Sequence, residues 1–247
     1  MKPIILQDLI DAEAREAFAR KDKWVILPLG STEFHGPRGP YGTDHYVAWE
    51  IAKRVSAATG ALLLPPLPYG FSPDHMGYPG TIHLEYETMR RVLGDIIASL
   101  HRHGVAKLLI LLGHWGNYEV ALETRETSRA MHPGLRIEVL RVFDDAVLGT
   151  EHLETVFGGR SSHGHGGARE VSGALYARPH LIPPAPAQVA QEYPPPEKRS
   201  YRELGWSGLP EEASAERGAK VIEITAEGIV RYLQNIGETG CHTNPHH

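Results

Sequence analysis

Three short, continuous apolar runs constrain this chain more than any other feature: WVILPL at 24–29, ALLL at 61–64 and AKLLILL at 106–112. Runs of this length suit strands of a parallel sheet buried on both faces, because no residue in them is reserved for solvent. A fourth strand is expected at 136–142 (RIEVLRV). The segments between them carry helical spacing. Ala48, Ile51, Ala52 and Val55 form one apolar face after residue 43, and Met89, Val92, Leu93, Ile96, Ile97 and Leu100 form another within 85–103. Further helices are expected over 118–131 and 168–176, and residues 214–234 read as a helix, or a helix and strand, with Ala219, Ile222, Ile224, Ile229 and Leu233. A surface helix is expected over 6–20, with Asp8 near its start. Strands alternating with helices indicate an α/β fold with a mostly parallel sheet.

At 247 residues one domain spanning the whole chain is expected, with a proline-rich excursion at about 179–196 and a flexible tail from about 238. The formal charge of -5 comes without a basic stripe or a run of like charges, which excludes nucleic acid and anionic membrane surfaces as expected partners and leaves small molecules. No apolar run approaches the roughly 20 residues of a membrane helix. The N-terminus lacks a signal-peptide pattern, and the single Cys241 cannot form an intrachain disulfide, so a reducing cytoplasm is the expected location.

The fifteen histidines are the compositional oddity, and several fall in the loops that follow the expected strands. The loop after the first strand, GSTEFHGPRGPYGTDH, holds Glu33, His35 and Asp44. If it curls over the strand end, these three side chains converge. Mixed carboxylate and imidazole ligands suit zinc, manganese or iron rather than calcium or magnesium, and an Asp can bridge two ions. The bland alternative is a set of turn and cap residues. His114 follows the strongest apolar run within GHWGN, at a strand end where open α/β sheets place ligands, although it could also precede a helix capped by Asn117. In SHGHGGAREVS, His165 and Glu170 flank a Gly-Gly turn into a helix and can reach one pocket, whereas His163 reads as an ordinary loop histidine.

The loop at 69–83 carries Phe71, His75 and Tyr78, which, with Trp115, are candidates for a substrate-binding wall, although packing beneath loops would look the same in sequence. No GxSxG elbow or Walker-type loop is present, and Ser31 has no obvious partner base.

Taken together, GSTEFHGPRGPYGTDH, LLGHWGN and HGGAREVS, in this order and at these intervals, resemble the creatininase (creatinine amidohydrolase) family of metal-dependent hydrolases. GFSPDHMGYPGTIHL and GLPEEASAERG extend the likeness over roughly residues 26–218. The resemblance implies a three-layer α/β/α fold with a mostly parallel central sheet, two divalent metal ions at the strand ends, zinc first with manganese or iron as alternatives, and a homohexamer. It assigns Glu33, His35, Asp44 as the bridging carboxylate, and His114 as metal ligands, and His165 as the catalytic histidine. Glu170 matches the glutamate of an HGGxxETS-like motif, with Val171 replacing the usual threonine. Creatininase carries a further glutamate ligand two residues after the histidine matching His114; this chain has Gly116 there. The second ion must then take Glu170 or another carboxylate, or bind less tightly, and creatinine is not the expected substrate. The family also includes enzymes that deformylate a pyrimidine nucleotide precursor, trim a small peptide or open a cyclic keto-inositol ring.

The expected reaction is therefore hydrolysis of a C–N amide-type bond (a cyclic amide, a formamide or a relative) in a small polar molecule, by metal-activated water with His165 as proton shuttle. A ring-opening hydrolase of a cyclic keto-sugar or keto-inositol is the alternative within the enzyme class. A non-catalytic metal-binding protein of the same fold is the alternative outside it.

Overall fold

The computed structural model describes residues 1–158, 163–181 and 201–239. Five parallel strands form one sheet: β1 (Ile4–Ile5), β2 (Val25–Leu29), β3 (Leu62–Leu63), β4 (Lys107–Leu112) and β5 (Arg136–Arg141), in the order β1-β3-β2-β4-β5. Helices α1 (Asp11–Ala19), α2 (Thr43–Thr59), α3 (Tyr86–Arg102), α4 (Tyr118–Met131), α5 (Asp145–Leu148), α6 (Ala168–Ala177), α7 (Tyr201–Leu204) and α8 (Ala215–Thr239) surround it.

The strands separate two apolar layers because alternate side chains point to opposite faces. Ile26, Leu109 and Leu111 pack with Val47, Ile51 and Val55 of α2 and Ile222, Ile229 and Leu233 of α8. Leu27, Leu29, Leu108, Ile110 and Leu112 pack on the other face with Met89, Leu93 and Ile97 of α3 and Val120 of α4. Each such side chain, fully buried, stabilises the fold by about 1.5–3 kcal/mol. This is the expected three-layer α/β/α arrangement. Pro28 is tolerated in the central strand for a local reason. Carbonyls of Trp24, Ile26 and Pro28 all accept hydrogen bonds on the β3 side, so the N–H that proline lacks would point beyond the end of β3.

The structure departs from the sequence reading at several places. The edge strand β1 pairs with β3 through only two residues, too short a run to carry a pattern. The first helix begins at Asp11, not near Asp8, because the Glu13 carboxylate accepts the Ile10 N–H at 3.0 Å and starts the helix there. The connection between β5 and α6 contains α5 and a 3-10 segment, Glu151–Phe157. The last segment is one continuous helix, α8, the first of the two readings its sequence allowed. Of the proline-rich excursion, Pro179–Leu181 forms a 3-10 turn and the remainder lies outside the described residues, as does the expected tail beyond Thr239. Among the described residues no helix is long and apolar enough to cross a membrane.

The chain passes from β2 through α2 to β3, then returns through α3 to β4 on the other side of β2. Neighbouring strands β2 and β4 thus send their following connections apart, which opens a crevice at their C-terminal ends.

Candidate metal centre

The crevice is filled by the loops after β2 and β4. Gly113 follows β4, donates its N–H to the Leu29 carbonyl at 2.8 Å, and lies so close to α2 that a Cβ there would meet the Asp44 carbonyl oxygen at 2.2 Å. Glycine therefore allows the first turn of α2 to settle against the end of β4, bringing Asp44 beside His114. Asn117 is not the side-chain helix cap that sequence suggested. Its Nδ2 donates to the Gly30 carbonyl and its Oδ1 accepts the Phe71 N–H, both at 2.9 Å, so the amide ties three loops together.

Glu33, His35, Asp44 and His114 are all buried and converge. The Asp44 carboxylate faces two ways: Oδ1 lies 2.8 Å from His35 Nε2, and Oδ2 lies 3.3 Å from His114 Nδ1. Beside Oδ1 stands Glu170, with Oε2 3.9 Å from His35 Nε2; beside Oδ2 stands Glu33, with Oε1 3.1 Å from His114 Nδ1. Two three-residue groups result, Glu33-Asp44-His114 and His35-Asp44-Glu170, and a third, Glu33-His35-His165, shares their members.

Hydrogen bonds to carbonyl oxygens, which can only accept, set the tautomers. His114 Nε2 donates to the Phe71 carbonyl at 2.9 Å, and His35 Nδ1 donates to the Glu33 carbonyl at 3.1 Å. The other nitrogen of each ring thus turns a lone pair toward carboxylate oxygens. Acceptors facing acceptors need a proton or a cation between them. Both Glu33 carboxylate oxygens and Asp44 Oδ2 are buried without a hydrogen-bond partner. Orphaned charges of this kind are costly unless paired or bound to a metal. The donor set, two imidazoles with three carboxylates, fits zinc or manganese.

Electrostatics carry the same message. Burial opposes charge on His35, but the Asp44 carboxylate outweighs it and raises the pKa to about 10; His114 is likewise raised, against burial, chiefly by Glu33. Asp44 is held below the usual carboxylate range, with the His35 charge overcoming burial, and burial pushes Glu170 up to about 7.

His165 lies beside this cluster. Its Nε2 donates to the Phe34 carbonyl at 2.6 Å, leaving Nδ1 directed toward Glu33 Oε1 at 3.8 Å. Burial, then the charge of His35, pushes its pKa down to about 3, so the imidazole is neutral with an open nitrogen. His75 stacks on it with centroids 4.3 Å apart, and its Nε2 lies 3.4 Å from Glu33 Oε1. A cavity of about 530 Å³ leads from Asp44, His114, His165 and Glu170 outward to Trp115 and Arg141.

The structure brings the sequence-selected residues Glu33, His35, Asp44, His114, His165 and Glu170 into one cluster, and places Phe71, His75 and Trp115 on the cavity wall. His75 is deeper than a wall residue need be. Tyr78 is not among the lining residues; it stacks on Phe34 at 4.1 Å, a packing role. His163 is a loop histidine 2.9 Å from Glu154 and outside the ligand groups. Two cavity residues had no sequence signal. Arg141 ends β5, is held by Asp144 at 2.7 Å and lies 3.9 Å from the ring centre of the exposed Trp115. Tyr201 follows the proline-rich stretch without any motif and reaches His75, 3.1 Å away.

Known proteins share the fold on which this cluster is built. The creatininase (creatinine amidohydrolase) family pattern matches residues 7–233. Creatinine amidohydrolase of Pseudomonas putida is 28% identical, the match covering 92% of this chain and 95% of that one. A 3-dehydro-scyllo-inosose hydrolase of Thermotoga maritima is 32% identical over 48% of this chain and 38% of its own. A solved structure of creatinine amidohydrolase superposes with a TM-score of 0.81 at 25% identity, covering 98% of this chain and 100% of that one, and a creatininase structure with Mn does so at 0.78 over 96% and 100%. With the family pattern spanning nearly the whole chain and the fold shared throughout, this protein belongs to the creatininase family of hydrolases.

Proposed function

We infer that the protein hydrolyses a C–N amide-type bond in a small polar molecule, using two divalent ions held between Glu33, Asp44 and His114 on one side and His35, Asp44 and Glu170 on the other. The observation that carries this reading is the two-way Asp44 carboxylate, with a separate imidazole and carboxylate facing each of its oxygens. Zinc or manganese is the proposed metal, by donor chemistry and because the similar creatininase structures include Zn-Zn and Mn forms. Such ions make water a nucleophile at neutral pH and polarise a carbonyl.

The chain's own residues do the rest. His165 Nδ1 accepts a proton and returns it to the leaving nitrogen, while the Phe34 carbonyl holds the ring through Nε2 and keeps Nδ1 turned inward. The carbonyls of Phe71 and Glu33 fix His114 and His35 in the tautomers that ligation needs. Trp115, pinned by Arg141, offers an aromatic wall at the mouth. Gly116 argues against creatinine as substrate. A Cβ at that position would lie 2.4 Å from His114 Nε2 and 2.5 Å from the Phe71 carbonyl oxygen, so no side chain can supply the extra ligand there. The partial match to the keto-inositol hydrolase supports ring opening as a second reading with the same residues.

The test is a metal-loaded assay of creatinine, N-formylglycinamide, a short peptide and 3-dehydro-scyllo-inosose, with the product of each identified by mass spectrometry. Hydrolysis of an amide-type C–N bond in one of the first three is expected, and His165→Ala should lose most turnover with metal content intact. Turnover of 3-dehydro-scyllo-inosose alone would transfer the conclusion to ring opening. Loss of metal in His165→Ala would make that residue a ligand instead.

A further inference from the structure

The segment 201–208 packs against the candidate ligand cluster and is tied to the loops that carry His35 and His165. The Ser207 N–H donates to the His165 carbonyl at 2.8 Å, and buried Trp206 packs over Gly36, next to His35. These contacts place the Tyr201 ring edge-on to both His75 and His165, with centroids 5.7 Å from each. Its hydroxyl is 3.1 Å from His75 Nε2.

Which atom donates follows from the surroundings of His75. Its Nε2 also faces the Glu33 carboxylate, at 3.4 Å, while its Nδ1 is buried with no hydrogen-bond partner. A proton on Nδ1 would be an orphaned donor, with Nε2 turning a lone pair toward a carboxylate. A proton on Nε2 faces the Glu33 carboxylate, bonds the Tyr201 oxygen, and leaves only an unpaired acceptor at Nδ1, the less costly defect. The phenol oxygen therefore accepts from His75, and its own O–H is left to the cavity that Tyr201 lines.

We propose that Tyr201 is a substrate-contacting residue of this site, its phenol O–H donating a hydrogen bond to an oxygen of the substrate's reacting group, with His75 as the positioning residue that orients it. The substrate class this selects carries a carbonyl oxygen able to accept that bond as negative charge develops on it, which is where a fixed donor accelerates acyl transfer. The proposal rests on the metal-dependent hydrolytic reading of the cluster.

Tyr201→Phe tests it with little risk to folding, since the ring is part-exposed and the change keeps its packing on both imidazoles. Three measurements on the zinc-loaded full chain are compared with the parent: metal content, kcat and KM on whichever substrate of the panel above is turned over fastest, and the Kd of acetohydroxamate by calorimetry. The expected result is unchanged metal content, kcat reduced tenfold or more with KM changed far less, and hydroxamate binding weakened severalfold. Parent-like kcat or parent-like hydroxamate affinity would overturn the proposal, as would loss of metal from the variant. Failure of the parent protein itself to take up zinc would refute the hydrolytic reading instead.

Discussion

Gly116→Ala is the substitution whose effect can be worked out most fully. The added Cβ would lie 2.4 Å from His114 Nε2 and 2.5 Å from the Phe71 carbonyl oxygen, well inside van der Waals contact. The Phe71 backbone cannot easily retreat, because its N–H is bonded to Asn117 at 2.9 Å and Asn117 is itself tied to Gly30. The His114 ring must move, breaking its 2.9 Å bond to the Phe71 carbonyl. Overpacking costs about 1–3 kcal/mol and a lost buried hydrogen bond about 1 more, giving about 2–4 kcal/mol in all. For a chain of this size each kcal/mol moves Tm by about 2–4 °C, so the metal-free variant should melt roughly 4–16 °C below the parent. Because the lost bond orients a proposed ligand, zinc affinity should fall by roughly 10–100-fold. Circular dichroism melts in chelator measure the first effect and zinc retained against a competing chromophoric chelator measures the second. Gly77→Ala, where a Cβ meets open space, is the control. A Gly116→Ala protein that melts with the parent and keeps its zinc would refute the reasoning.

Two further outcomes are expected. Gly94 sits within α3 with nothing within 4 Å of its would-be Cβ, so Gly94→Ala should stabilise the protein by about 0.5–1 kcal/mol, seen as a higher urea midpoint; a lower midpoint would contradict this. On the proposed ligand set, metal loading at neutral pH should release protons, because in the metal-free protein neighbouring carboxylates favour protonated His35, raised to about 10, and protonated His114, while burial favours partly protonated Glu170, raised to about 7, and ligation would require each to give up its proton. Apparent affinity should accordingly rise with pH, and calorimetric heats should differ between buffers of different ionisation enthalpy; buffer-independent heats would count against it.

Much of the site was legible before the structure because its parts follow short apolar runs that suit strands buried on both faces. Glu33 and His35 come directly after WVILPL, and His114 after AKLLILL; once both runs are parallel neighbours in register, Leu29 opposite Leu112, their loops must meet at one end. Glu170 and His165 were legible from the Gly-Gly turn between them, but not their side of the cluster: Glu170 stands beside Asp44 Oδ1, while His165 Nδ1 is directed toward Glu33. Tyr78 was less legible. An aromatic in a loop beside the candidate site reads the same whether it lines a cavity or, as Tyr78 does, stacks on Phe34.

By itself the sequence determined the alternation of buried strands with amphipathic helices, the strand ends and the kinds of donor available, since burial pattern and residue chemistry are local properties. Only the tertiary structure decided how those donors face one another. That Asp44 looks two ways, that carbonyls of Phe71 and Glu33 select the histidine tautomers, and that Gly116 has no room for a side chain all depend on contacts between loops far apart in the chain. Tyr201 depends on such contacts most of all, because its place over His75 and His165 comes from anchors at Trp206 and Ser207 that no local pattern encodes.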